Sequence, residues 1–159
     1  MKNNEIESLI VAAIVVEVFC VAILYFGKRG GKNIRIWYNN YKIGAYVFDV
    51  LSLIIGAIIP IMLTNNLLYQ IIIVIIVGLL HDLTFGYFIT KSKPKTGISK
   101  LFFDYAKEIG ATILLVDAIL LVSTILSYNV LKLLDIKFLL FLGASLAYIG
   151  LYIVYSFKL

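Results

Sequence analysis

The most constraining stretch of the chain is Leu67 to Thr90, LLYQIIIVIIVGLLHDLTFGYFIT, an apolar run long enough to cross a bilayer as one helix that nevertheless carries adjacent His81 and Asp82. At about 1.5 Å per residue the pair lies roughly 12 to 14 Å inside the Thr90 end, deep for two short polar side chains. Ionisable residues at such depth are costly to insert, so the pair marks a candidate functional site.

The rest of the chain repeats the pattern. Of 159 residues, 62% are hydrophobic and 14% charged, and the balance excludes an ordinary water-soluble domain. The single cysteine, Cys20, forbids an intrachain disulfide. Met1 to Ser8 is polar with mixed charge, and the apolar run after it has no small-residue cleavage site, so the first helix is expected to stay in the mature protein. Spans are predicted at 9–26, 43–63, 67–90, 101–126 and 138–155, a single domain and an all-α bundle of five transmembrane helices organised around spans two to four. The uncharged turn Thr64-Asn65-Asn66 is so short that spans two and three must be antiparallel neighbours. Residues 101–108 are amphipathic and read as an interfacial turn leading into span four, and residues 127–137 as a linker. Gly143, Ala147 and Gly150 recur on one face of the last helix, where small residues permit close packing.

Charge sets the expected orientation. The first connection holds Lys28, Arg29, Lys32, Arg35 and Lys42, and the third holds Lys91, Lys93, Lys95 and Lys100, whereas the second has no charge. Both basic connections therefore belong on one side, and the positive-inside rule makes it the cytosol, with the N-terminus outside and the C-terminus cytosolic. The net charge of +5 is thereby explained by topology and does not call for nucleic acid as a partner. Trp37, Tyr38 and Tyr41 among the first set of cations suit a headgroup layer, and anionic lipid headgroups are the expected partners of both connections.

This topology gathers acids. Asp49, His81, Asp82, Asp104 and Glu108 are placed in the cytosolic leaflet on three consecutive helices. Carboxylates without matching cations must be protonated, hydrated or bound to an external cation. Three readings follow: a proton or cation path, a divalent metal held by His81, Asp104 and Glu108 with Asp82 beside them, or hydrogen-bonded pairs that fix helix register. His81 and Asp82 point about 100° apart and are expected to bond to different helices. Glu17 and Asp117 lie nearer the bilayer centre, secondary buried acids expected to share one proton across a helix contact. Phosphate-binding glycine loops, HExxH, GxSxG and TVGYG are all missing, which disfavours the enzymes and potassium channels that use them.

The segments HDLTFGYF and KLFFDYAKEIGATILLVD, with His81, Asp82, Leu83, Phe85, Phe102, Asp104, Tyr105, Ala106, Lys107, Glu108, Gly110 and Asp117, resemble a family of small polytopic membrane proteins encoded by large DNA viruses of algae and protists. The resemblance spans roughly residues 43–129. It implies a host-cell or virion internal membrane and supplies no activity. The expectation is a polytopic membrane protein whose acid and histidine cluster binds a proton or cation for transport. A structural protein of a virion's internal membrane, meeting capsid proteins or further copies of itself, and a membrane metalloenzyme are the alternatives.

Overall fold

The computed structural model describes residues 4–28, 30–91 and 96–158, and these are all-α. Lys93 and Lys95 of the second basic connection and Arg29 of the first lie outside the described residues. The helices are α1 (Glu5–Phe26), α2 (Lys32–Tyr41), α3 (Ile43–Leu63), α4 (Leu67–Lys91), α5 (Gly97–Ile109), α6 (Thr112–Leu131) and α7 (Ile136–Ser156). Five of them, α1, α3, α4, α6 and α7, are long and apolar enough to cross a membrane. The chain is an all-α membrane protein built as a helical bundle.

The centre of that bundle is α1 rather than spans two to four. It is apolar on every side, so no face favours lipid over protein, and it packs on α3, α6 and α7. Ala12, Ala13 and Val21 have no exposed surface. Their small side chains let neighbouring backbones approach, the main source of helix association where lipid competes for apolar contact. On α7, Gly143 sits against Val11, and Gly150 sits against the ring of Tyr46 from α3. The small-residue face expected of the last helix is thus in use. By contrast α4, the stretch with His81, is peripheral: apart from Gln70, Val74 and Gly78 its residues keep an outward surface.

Local signals explain the boundaries. Asn66 Oδ1 accepts from the backbone N–H groups of Leu68 at 3.0 Å and Tyr69 at 3.3 Å, capping α4 and closing the antiparallel turn from α3. Asp135 caps α7 by accepting from the N–H of Lys137. The amphipathic start expected for span four is a separate helix, because Gly110, at φ +60°, breaks the chain between α5 and α6. At its other end α6 runs on to Leu131 and absorbs part of the expected linker. Leu121, Thr124, Ile125, Tyr128 and Leu131 form one buried stripe at helical spacing, which outweighs the polar Ser127 and Asn129.

α2 and α5 are the two amphipathic helices, and they pack on one another. That contact puts both basic connections at the same end of the bundle. α2 turns into α3 through one residue, Lys42, at φ +47°. This tight turn folds α2 back so that Trp37 and Tyr38 point inward to the first turns of α3.

Candidate functional site

The buried polar site lies where α1, α2 and α3 meet. Glu17 on α1 is 2% exposed and Tyr38 on α2 is 1% exposed. The Tyr38 hydroxyl is 2.6 Å from Glu17 Oε1 and 2.7 Å from Asp49 Oδ2. Asp49 Oδ2 also accepts from the indole N–H of Trp37 at 3.0 Å. α2 therefore supplies two donors, on consecutive residues, to one carboxyl of α3.

Proton counting decides the state of this group. Burial, the largest cause, pushes the Tyr38 phenol well above its ordinary value, so it is a neutral O–H with one proton to give. It can donate to one of its two carboxyl neighbours. The other must itself be protonated and donate to the phenol oxygen, or two acceptor lone pairs would face each other in a buried site. Asp49, already receiving the Trp37 N–H, is the better carboxylate. Glu17, whose hydrogen-bond partner among the described residues is Tyr38, is then the protonated acid. On this proton count the donors run from Glu17 to Tyr38 to Asp49, and the Trp37 N–H gives Asp49 its second donor.

A second acid pair lies across the α4–α6 contact, where Asp82 and Asp117 interact and the charge of Asp49 also reaches Asp117. Asp82 Oδ1 is 3.0 Å from His81 Nδ1, and the imidazole is 67% exposed on α4. Cys20, one turn beyond Glu17, lies within electrostatic reach of Glu17, Asp49 and Asp117. Tyr105 of α5 lies within reach of Asp117, Cys20 and Asp49, and burial raises its phenol above the ordinary value. Acids from four spans thus converge on one region: Glu17, Asp49, Asp82 and Asp117.

The expected set is redistributed. Asp104 turns outward and pairs with Lys100 on its own helix. Glu108 reaches the start of α2, where its carboxylate accepts from the backbone N–H of Lys32 at 2.5 Å, the N–H of Asn33 at 2.9 Å and Asn33 Nδ2 at 2.8 Å. Those bonds, the Asn33 N–H foremost, hold Glu108 below the ordinary carboxylate range. His81 and Asp82 bond to each other, with Asp82 also facing Asp117 of α6, and Glu17 pairs with Tyr38 and Asp49 rather than with Asp117. Among the described residues no three His, Cys, Asp or Glu side chains form a metal-ligand group, and His81, Asp104 and Glu108 face three different surroundings. The structure therefore does not bring these three side chains together: Asp104 faces Lys100 on its own helix, and Glu108 faces the first backbone N–H groups of α2.

No family model matches the sequence, and no curated protein or solved structure matches it.

Trp37 and Tyr38 are the residues of this buried polar group that sequence reasoning missed. Their setting among Lys and Arg suggested a headgroup belt. The signal was the spacing of Ile34, Trp37, Tyr38 and Tyr41, which is that of one helical face, so the connection had to have an inside.

Proposed function

We propose that this membrane protein binds and releases a proton at the Glu17–Tyr38–Asp49 group, and that the Asp82–Asp117 pair extends the route toward His81 for proton movement through the bundle. The observation that carries the reading is the single phenol between two carboxyl oxygens at 2.6 and 2.7 Å, a geometry that needs an acid proton in a buried site. A purely register-fixing role requires no second carboxyl there, since an amide or hydroxyl would satisfy Tyr38 without the cost of a titratable group.

The positive-inside rule supports an orientation with α2 and α5 on the cytosolic face, and the two acid pairs then lie in the cytosolic half of the bundle. The resemblance of the His81–Phe85 and Phe102–Asp117 segments to proteins of large DNA viruses supports a host-cell or virion internal membrane as the setting. The test is proton flux in liposomes holding the purified protein, driven by a potassium diffusion potential and read with an entrapped pH dye. Flux above that of empty vesicles, lost on Glu17→Gln, is expected. Absence of flux, or equal flux through Glu17→Gln, overturns the transport reading.

A further inference from the structure

We propose that Glu108 is a positioning residue for the proton site, acting across the interfacial helix pair by holding α2 so that Tyr38 stays between Glu17 and Asp49. This inference rests on the proposed proton-binding role of that site and names the residue outside the bundle that governs it.

The start of α2 has no side-chain cap of its own: the N-cap position is Gly31, and the carboxylate that meets the first N–H groups comes from Glu108 on α5. A cap supplied by another helix does more than satisfy orphan donors, because it ties the position of α2 to that of α5. Gly31 is required by the contact, since a Cβ there would overlap the Glu108 carboxylate. The same helix pair has an apolar seam in which the Trp37 ring meets Phe102 of α5, with centroids 5.1 Å apart. Phe102 in turn meets Phe85 of α4 edge-on at 5.5 Å. Trp37 and Tyr38 lie in the second turn of the helix whose first turn Glu108 holds. Shifting the start of α2 therefore moves both donors relative to Asp49.

The two ends of α2 are fixed differently. Its far end is tied to the rest of the bundle by Lys42, whose Nζ donates to the Phe157 carbonyl at 2.8 Å, and by Phe157 stacked on Tyr38 at 5.5 Å. Its near end depends on Glu108. The groups facing that carboxylate are Lys32 and Asn33 of α2. Those facing the acid pair are Tyr38 of α2, Cys20 of α1, Tyr46 of α3, Tyr105 of α5 and Asp117 of α6. Releasing the Glu108 cap changes the Tyr38 bridge while leaving the acids of the spanning helices in place.

The experiment is an infrared pH titration of the full chain in lipid, following the carboxylic acid C=O band that Glu17→Gln removes. Glu108→Ala and Gly31→Ala, which break the cap from opposite sides, are each expected to move the midpoint of that band by about one pH unit, as expected for one altered hydrogen bond to a buried carboxyl. Glu108→Gln, which keeps one acceptor oxygen, is expected to move it less, and Asp104→Asn, on the same helix but outside the cap, to leave it in place. A midpoint unchanged in both Glu108→Ala and Gly31→Ala overturns the inference even if both variants melt earlier. Absence of any band sensitive to Glu17→Gln overturns the proton-site reading itself.

Discussion

Replacing Tyr38 by Phe removes one oxygen and keeps the ring that stacks on Phe157. The Oη atom makes two buried bonds, at 2.6 and 2.7 Å, so its removal strips Glu17 of its partner among the described residues and leaves Asp49 with Trp37 alone. If both were ordinary bonds inside a membrane protein, at about 0.6 kcal/mol each, the loss would total about 1 kcal/mol. If the phenol instead joins a carboxylic acid to a carboxylate, the loss is larger. The bond to the carboxylate is worth about 1.5 to 3 kcal/mol, and the unsatisfied Glu17 adds about 1 to 3 kcal/mol, so a destabilisation above about 2.5 kcal/mol is expected. Glu17→Gln should cost under about 1 kcal/mol, because its amide N–H donates to the phenol oxygen as the protonated acid does. Reversible unfolding in mixed detergent micelles, with the two single variants and the double variant, measures both values and their coupling. A Glu17→Gln variant as damaged as Tyr38→Phe would refute the proton count, and a Tyr38→Phe loss near 1 kcal/mol would reduce the bridge to two ordinary bonds.

Other perturbations follow from the same geometry. Gly150→Ala pushes a Cβ into the Tyr46 ring across the α3–α7 contact and should cost about 1 to 3 kcal/mol in the same unfolding assay, with Gly44→Ala, where space is open, as the neutral comparison. Asp104→Asn removes only an exposed pair with Lys100 and should change stability by less than about 0.5 kcal/mol. The Glu108 cap has a pH dependence of definite sign. Its carboxyl is depressed in the folded protein, so its contribution is full above the ordinary glutamate value of about 4.3 and is lost as pH falls through the lower folded value. Protection of the Lys32 and Asn33 amides, taken relative to their intrinsic exchange rates, should therefore be full at neutral pH and fall only in acid, and constant protection throughout would contradict the cap.

The periodic parts of the fold were legible. Apolar runs of spanning length gave the five long helices, and the short Thr64–Asn66 turn gave the antiparallel α3–α4 pair, because bilayer thickness and loop length leave few alternatives. Which helix is central was not legible. All five runs are apolar, so hydropathy could not rank them, and the decision fell to small residues such as Ala12 and Ala13, whose effect depends on what they face. The site was half legible. Depth grouped Asp49 and Asp82, which lie in the same region of the bundle, with Asp104 and Glu108, which do not, because a one-dimensional depth scale assumed an unbroken fourth span, and Gly110 at φ +60° breaks it. Asp117 was set aside by the same assumption. Counted along a continuous 101–126 helix it falls near the bilayer centre, whereas in α6 it lies five residues from the start and meets Asp82.

That break also explains why acids from four spans can share one region without a buried lysine or arginine among the described residues. α5 is a helix separate from α6 and carries Asp104 and Glu108 away from the buried acids, leaving among them only groups that can be neutralised by protons or by donors from neutral groups. Tyr38 and Trp37 enter from α2, which is folded back by the Lys42 turn, and they supply donors without adding positive charge. A cation in their place would fix Asp49 as a permanent carboxylate through a charge-assisted bond and remove the need for a proton on Glu17. Tyr38→Lys should therefore abolish the proton-sensitive infrared band while preserving helix content. A band of unchanged midpoint in that variant would mean that the acid pair titrates without the phenol, and the bridge would have no part in holding its proton.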